Sequence, residues 1–209
     1  MSETDLSPEN NLRWHFPTPI FAQVWQDCED VNRELRSLIL ETEARGNPKF
    51  GHIEGGWAST KDFFSWEADC VRALEAHIQH MLSAVVSWMG QKPLERVVQY
   101  DLQCWANVLR NGGYHALHSH PNSFWSGVYY ANVGTRTGET RRNGCIEFMD
   151  PRSAAGAILM YGSALPQECL ISPEAGMTVI FPGWLKHMVH PFYGEGERIS
   201  IAFNLDRET

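Results

Sequence analysis

Hydrophobic positions recur with a helical period in the first half of the chain and with a strand period in the second. Between Asp27 and Arg45 the apolar residues Val31, Leu35, Leu38 and Ile39 fall on one stripe, ended by Gly46 and Pro48, which predicts an amphipathic helix. A second stripe runs through Val71, Leu74, Ile78, Met81, Leu82, Val85 and Met89. Ser65 reads as its N-cap, with Glu67 and Asp69 in the first turn, and Gly90 to Pro93 as its stop. Upstream, Trp14 to Trp25 is apolar and punctuated by proline, the composition of an extended edge strand. The glycine-rich stretch between the helices reads as a connection, and the polar residues 1–13 as a loose tail.

After residue 94 the pattern alternates. Candidate strands are 96–109, 114–120, 124–133, 144–149, 168–172, 177–181, 186–193 and 198–205, separated by glycine, proline and asparagine clusters. Some eight short strands after two helices predict a mainly β fold, a sandwich or barrel with N-terminal helices packed on one side. The organisation expected is one structural domain. Residues 1–93 supply an extended segment and two helices, and residues 94–209 supply the β core. A chain of 209 residues is long enough to bury such a core.

Charge and cysteine usage narrow the function. A net charge of −8 disfavours a nucleic-acid partner, because phosphate neutralisation needs a basic face. No apolar run approaches the roughly 20 residues of a membrane span, and the polar, acidic N-terminus has no signal-peptide core. Five cysteines, an odd number without a CxxC pair, suit reduced thiols, so a cytoplasmic protein is expected.

Histidine placement supplies the candidate chemistry. Five of the nine histidines occupy two windows, 115–120 and 187–190. Residues 118 and 120 share a face of a strand. With His187 from a distant strand they would cap one side of a transition metal. His115 and His190 have the opposite parity to His118 and His187, so each should point away. His77 and His80 read as the solvated face of the second helix, and Trp105, Trp125 and Trp184 as core. On the strand from Arg198, one face carries Arg198, Ser200, Ala202 and Asn204, and the other Ile199, Ile201, Phe203 and Leu205. The apolar face belongs to a core, so the polar face should line a cavity. An arginine there suits a planar anion held bidentately.

The spacing around His118-Ser-His120 and Pro182…His187 resembles the two motifs of the cupin-like double-stranded β-helix, or jelly roll. The glutamate that many cupins carry after HxH is absent. His187-Met-Val-His-Pro, followed by Arg198-Ile-Ser-Ile-Ala-Phe-Asn, is more similar to the C-terminal half of the Fe(II)/2-oxoglutarate-dependent oxygenases. Ser126-Gly-Val-Tyr-Tyr-Ala-Asn132 resembles the strand that follows the metal motif in prolyl-hydroxylase-like members. The resemblance covers about residues 96–205 and looks closest to bacterial and phage members ending in RISIAFN. It implies a dioxygenase that hydroxylates a small-molecule or peptidyl substrate. Iron(II) would be held by His118, His120 and His187, and the cosubstrate 2-oxoglutarate by Arg198, Ser200 and Tyr130.

One departure matters: the family places Asp or Glu where this chain has His120. Three readings compete: three histidines form the site, an acid such as Glu147 or Asp150 completes it, or metal binds with little oxygenase activity. The shared parity of 118 and 120 favours three histidines. The competing functions are a cupin-type three-histidine metalloenzyme that does not use 2-oxoglutarate, and a non-catalytic metal-binding β-helix module. Loops 134–143 and 151–167 are the expected specificity elements, and exposed edge strands could pair the chain as a homodimer.

Overall fold

The computed structural model describes residues 17–46, 48, 52–89, 100–152 and 169–207. The tail at 1–13, most of loop 151–167 and the boundary drawn at 93/94 lie outside the described residues. Among the described residues there are two α-helices, α1 (Glu29–Ala44) and α2 (Asp69–Trp88). Nine strands accompany them: β1 (Phe21–Val24), β2 (Ile53–Ala58), β3 (Tyr100–His118), β4 (Ser123–Arg136), β5 (Ile146–Phe148), β6 (Cys169–Ile171), β7 (Met177–Pro182), β8 (His187–Val189) and β9 (Gly194–Arg207). No helix among the described residues is long and apolar enough to cross a membrane.

All nine strands belong to one antiparallel sheet of order β1-β7-β4-β9-β3-β8-β5-β6, with β2 added against β3. The sheet curls because β3 changes partner along its length. Residues 100–109 pair with β9, whereas His115 and His118 pair with β8. Between them Gly112 adopts φ +84, a left-handed conformation that favours glycine. The expected strands 96–109 and 114–120 are thus one bent strand in the described residues. The bend folds the sheet onto itself and gives it an inside and an outside.

Each face has its own core. Outside, Leu35 and Ile39 of α1 and Leu74, Ile78 and Leu82 of α2 pack against Ile199, Ile201 and Phe203 of β9. Inside, Val128 and Tyr130 of β4, Val179 and Phe181 of β7, and Ile146 and Phe148 of β5 cluster together. The alternation of β9 is therefore realised as expected: its odd residues meet the helices, and its even residues face the interior.

Three expectations need correction. The glycine-rich connection contains β2, whose Gly56 lies where a Cβ would come within 2.5 Å of the Val108 carbonyl. Glycine there permits close strand approach rather than a loop. Second, α2 begins at Asp69 with Ala68 as N-cap, because Ser65 sits in a 3-10 turn (Phe63–Ser65) and spends its hydroxyl on the Asp62 carbonyl, 2.7 Å away. Third, His77 is not on a solvated face. It stacks on Trp25 at 4.3 Å and hydrogen-bonds the Thr178 hydroxyl at 3.2 Å. Trp14–Trp25 does contain an edge strand, β1, which pairs with β7 at one end of the sheet.

Candidate functional site

The bend in β3 brings its end against β8, so that His118 and His187 are direct cross-strand partners with rings 4.3 Å apart. His120 lies in the turn beyond β3, where its backbone N–H donates to the Gly183 carbonyl at the end of β7 (2.8 Å). Its ring lies 5.1 Å from that of His118 and 5.2 Å from that of His187. One ring nitrogen of each of the three lies within 4.8 Å of one from each of the others. Among the described residues this is the one cluster of His, Cys, Asp or Glu with metal-binding geometry.

Local hydrogen bonds prepare these rings. Nδ1 of His118 meets the Ala116 carbonyl at 2.7 Å, and Nδ1 of His187 meets the Leu185 carbonyl at 2.9 Å. A carbonyl only accepts, so each Nδ1 carries the proton and each Nε2 keeps its lone pair for a metal. His120 differs, because its Nδ1 faces the Asn204 amide nitrogen at 3.3 Å. The Asn204 carbonyl oxygen in turn accepts from the Ser126 hydroxyl at 2.9 Å. That orientation leaves the His120 lone pair on Nδ1; turning the amide over lets Asn204 accept from Nδ1–H and frees Nε2. Burial, followed by repulsion from neighbouring imidazoles, lowers the pKa of His120 to about 4 and of His187 to about 3. Burial also lowers that of His118. At neutral pH the cluster is a set of uncharged nitrogen donors, the form a divalent metal takes.

Neither acid named as a substitute ligand joins it. Glu147 is held by His190 at 2.5 Å and by Arg142 at 3.4 Å, and Asp150 by Arg152 at 2.6 Å. His190 is thereby accounted for outside the cluster. His115 departs from expectation. The register shifts between His115/Val189 and His118/His187, and this irregularity sets His115 into the same cavity wall as His118. Burial, then the Arg198 charge, lowers its pKa well below the usual value.

The inner cavity continues from the triad to Tyr130, Arg198 and Ser200. Ser200 is the cross-strand partner of Tyr130, so three residues from two strands meet there. Arg198 is 1% exposed. Its Nε donates to the Gly144 carbonyl at 3.1 Å, and its guanidinium lies 5.0 Å from the centre of the Tyr130 ring. Both terminal nitrogens are buried without a hydrogen-bond partner, as is the Tyr130 hydroxyl. Burial lowers the Arg198 pKa and raises that of Tyr130, against which the Arg198 charge pulls back. Orphaned buried donors of this kind cost free energy unless an acceptor fills the cavity between them. The acceptor that fits a guanidinium fork and a phenol together is a carboxylate.

A larger cavity of about 680 Å³ opens beside the triad. Trp105 packs against the inner core and also lines both cavities, Trp125 is buried in the outer core as expected, and Trp184, expected in the core, is 54% exposed. Lys61, Asn107 and Asp206, none of which stood out in the sequence, line this outer cavity too. They come from three separate stretches of the chain, and only the fold brings them together.

Residues 103–204 match the family model described as "Putative 2OG-Fe(II) oxygenase". No curated protein sequence matches the chain significantly. Among solved structures the chain is similar to a prolyl-4-hydroxylase from Pseudomonas putida, at 19% identity and TM-score 0.65, covering 92% of this chain and 94% of that one. It is also similar to a prolyl hydroxylase from Trichoplax adhaerens in complex with a peptide fragment of hypoxia inducible factor (12% identity, TM-score 0.64, 90% and 83% covered). A third neighbour is HygX from Streptomyces hygroscopicus with nickel and 2-oxoglutarate bound (12%, TM-score 0.58, 91% and 83% covered). At these identities the likeness is one of fold, and that fold is the double-stranded β-helix.

Proposed function

Since the chain belongs, through residues 103–204, to the 2-oxoglutarate/Fe(II) oxygenases, we propose that it is an Fe(II)- and 2-oxoglutarate-dependent dioxygenase whose iron is held by His118, His120 and His187. Arg198, Ser200 and Tyr130 hold the cosubstrate. The observation that carries this reading is the Arg198 guanidinium, fully buried with two unpartnered nitrogens in the cavity that the three histidines line. It speaks against a three-histidine metalloenzyme without 2-oxoglutarate, which would have no use for an anion receptor beside its metal.

Bound iron and 2-oxoglutarate supply the oxidising chemistry, with decarboxylation to succinate coupled to hydroxylation of a C–H bond. The chain's own residues hold the geometry. His118 and His187 present Nε2 because backbone carbonyls keep their Nδ1 protons. Arg198, anchored through Nε to the Gly144 carbonyl, aims its fork into the cavity, and Tyr130 and Ser200 add hydroxyl donors to the same carboxylate. Phe181, Val189 and Ile146 close the apolar side and exclude water.

The substrate is a small molecule or a peptide. All five cysteines are free, which suits a cytoplasmic enzyme, and the sheet's edge strands β1 and β6 are the faces a homodimer would use. Calorimetric titration of 2-oxoglutarate, or of its inert analogue N-oxalylglycine, into anaerobic Fe(II)-loaded protein tests the reading. Binding that needs iron and is abolished by Arg198→Ala supports it. Absence of binding under these conditions refutes it.

A further inference from the structure

The outer cavity carries two opposite charges that form no ion pair with each other or with any other described residue. Lys61 follows β2. Its ammonium donates to the Gln103 carbonyl oxygen at 3.0 Å and lies 5.4 Å from the centre of the Trp105 ring. Asp206 stands on β9, half-buried, and its Oδ1 accepts from the Ser123 hydroxyl, leaving Oδ2 free. Gln103 faces Asn204 across the ladder, and Asp206 is two residues further along β9. Lys61 is thus tied to Gln103, the diagonal neighbour of Asp206, so both charged groups line one end of the cavity.

Deeper along β3, opposite Ser200, stands Asn107. It is 3% exposed, lines both cavities, and its side-chain amide makes no hydrogen bond to another described residue. Its amide borders both cavities and can donate to or accept from what enters either.

We propose that the outer cavity is the subsite of a free amino acid, its carboxylate on Lys61 and its ammonium on Asp206, with Asn107 facing the part of the ligand next to the triad. A dipolar ligand offers each group a charged hydrogen bond of about 2.8 Å. A purely anionic ligand would face not only Lys61 but also Asp206 and Asp101, the latter tied to Gln103 at 3.3 Å. A purely cationic ligand would leave the Lys61 ammonium opposed. A dipolar ligand satisfies both ends. A cavity of about 680 Å³, within the usual range for small-molecule sites, accommodates any of the twenty side chains.

This assignment deepens the oxygenase reading and rests on it for the reaction, though not for binding. The experiment is ligand-observed NMR on the full chain under anaerobic conditions, with the twenty α-amino acids tested singly. Each titration is run with Fe(II) and 2-oxoglutarate and again without either. At least one amino acid should bind saturably, and its N-acetyl and carboxamide derivatives at least tenfold more weakly. Asp206→Asn should weaken the free amino acid about tenfold while leaving the N-acetyl form unchanged. Lys61→Gln should do the same while sparing the carboxamide. Thermal melting of both variants near that of the parent shows that each is folded. Binding of no amino acid, equal binding of the blocked forms, or variants that weaken every form alike would overturn the proposal. If 2-oxoglutarate binds and no amino acid does, the subsite alone fails. If 2-oxoglutarate does not bind, the oxygenase reading fails, and the titration without cofactors still decides the subsite.

Discussion

Replacing Arg198 by methionine should make the ligand-free protein more stable while abolishing its affinity for 2-oxoglutarate. Burying a charge without a counter-ion costs several kcal/mol even after the protein relaxes. Against this, the bond from Nε to Gly144 returns about 1.5–3 kcal/mol. The Tyr130 ring at 5.0 Å returns up to about 2 kcal/mol. The two terminal nitrogens return nothing, because nothing accepts from them. The balance is a net cost of about 1–2 kcal/mol, which an unbranched apolar side chain of similar reach removes. For a domain of this size that is about 2–8 °C in Tm. Differential scanning calorimetry without metal or cosubstrate reads the first effect. Calorimetric titration of 2-oxoglutarate into Fe(II)-loaded protein reads the second. Losing one side of a desolvated charged pair should weaken binding by about 2–5 kcal/mol, a factor of roughly 30 to several thousand. A ligand-free Arg198→Met variant that melts below the parent would mean that the guanidinium is already satisfied by the protein. Its burial would then require no carboxylate ligand.

Other consequences follow from the same geometry. His120 and His187 have folded-state pKa values of about 4 and about 3. The unfolded chain therefore takes up their protons first, near pH 6.5. The metal-free protein should hold full stability above that pH and lose it progressively as pH falls toward those values, by about 2–3 kcal/mol between pH 7.5 and 5.5; urea denaturation at the two pH values checks this, and an unchanged midpoint refutes it. Asn204→Ala should weaken metal binding about 10–100-fold, whereas Asn204→Asp, which can only accept from the His120 Nδ1–H, should retain or tighten it; competition against a chelating dye measures both. Gly127→Ala places a Cβ 2.2 Å from Cζ of Phe203 and 2.7 Å from the Val179 carbonyl, so it should cost about 2–3 kcal/mol, read as a lowered urea midpoint.

Side-chain alternation is legible in the sequence of β9 and not in that of β3, for one physical reason. From Arg198 to Leu205 the register with β3 advances one residue at a time without interruption. Alternation therefore holds, and the face of Arg198, Ser200, Ala202 and Asn204 could be read directly from the chain. On β3 the bend at Gly112 and the register shift between His115 and His118 break the period. An odd spacing then places both rings in one cavity. Glycines concealed β2 similarly: Gly56 is demanded by close packing on Val108 and Leu109, yet in sequence a glycine pair is indistinguishable from a turn. The outer cavity was illegible for a different reason. Lys61, Trp105 and Asp206 have no common period or spacing, and each alone is an ordinary surface or core residue.

The histidine at position 120 shows how a departure from the family pattern can be accommodated locally. A carboxylate there would offer a metal a negative oxygen without regard to tautomer. An imidazole must have its proton placed, and whatever bonds Nδ1 decides where the lone pair goes. His118 and His187 have carbonyls for this purpose. His120 has an amide that can either donate or accept, backed by a hydroxyl with the same freedom. The third donor is therefore the one whose readiness depends on a side chain free to turn over. Loading the metal should favour the orientation in which Asn204 accepts from His120 and its amide nitrogen donates to Ser126. Nitrogen-15 NMR of the His120 ring, with and without a diamagnetic divalent ion, should then show the proton on Nε2 in the free protein and on Nδ1 in the bound one. A proton on Nδ1 in both states would make the site fully prepared and leave Asn204 no part in adjusting it.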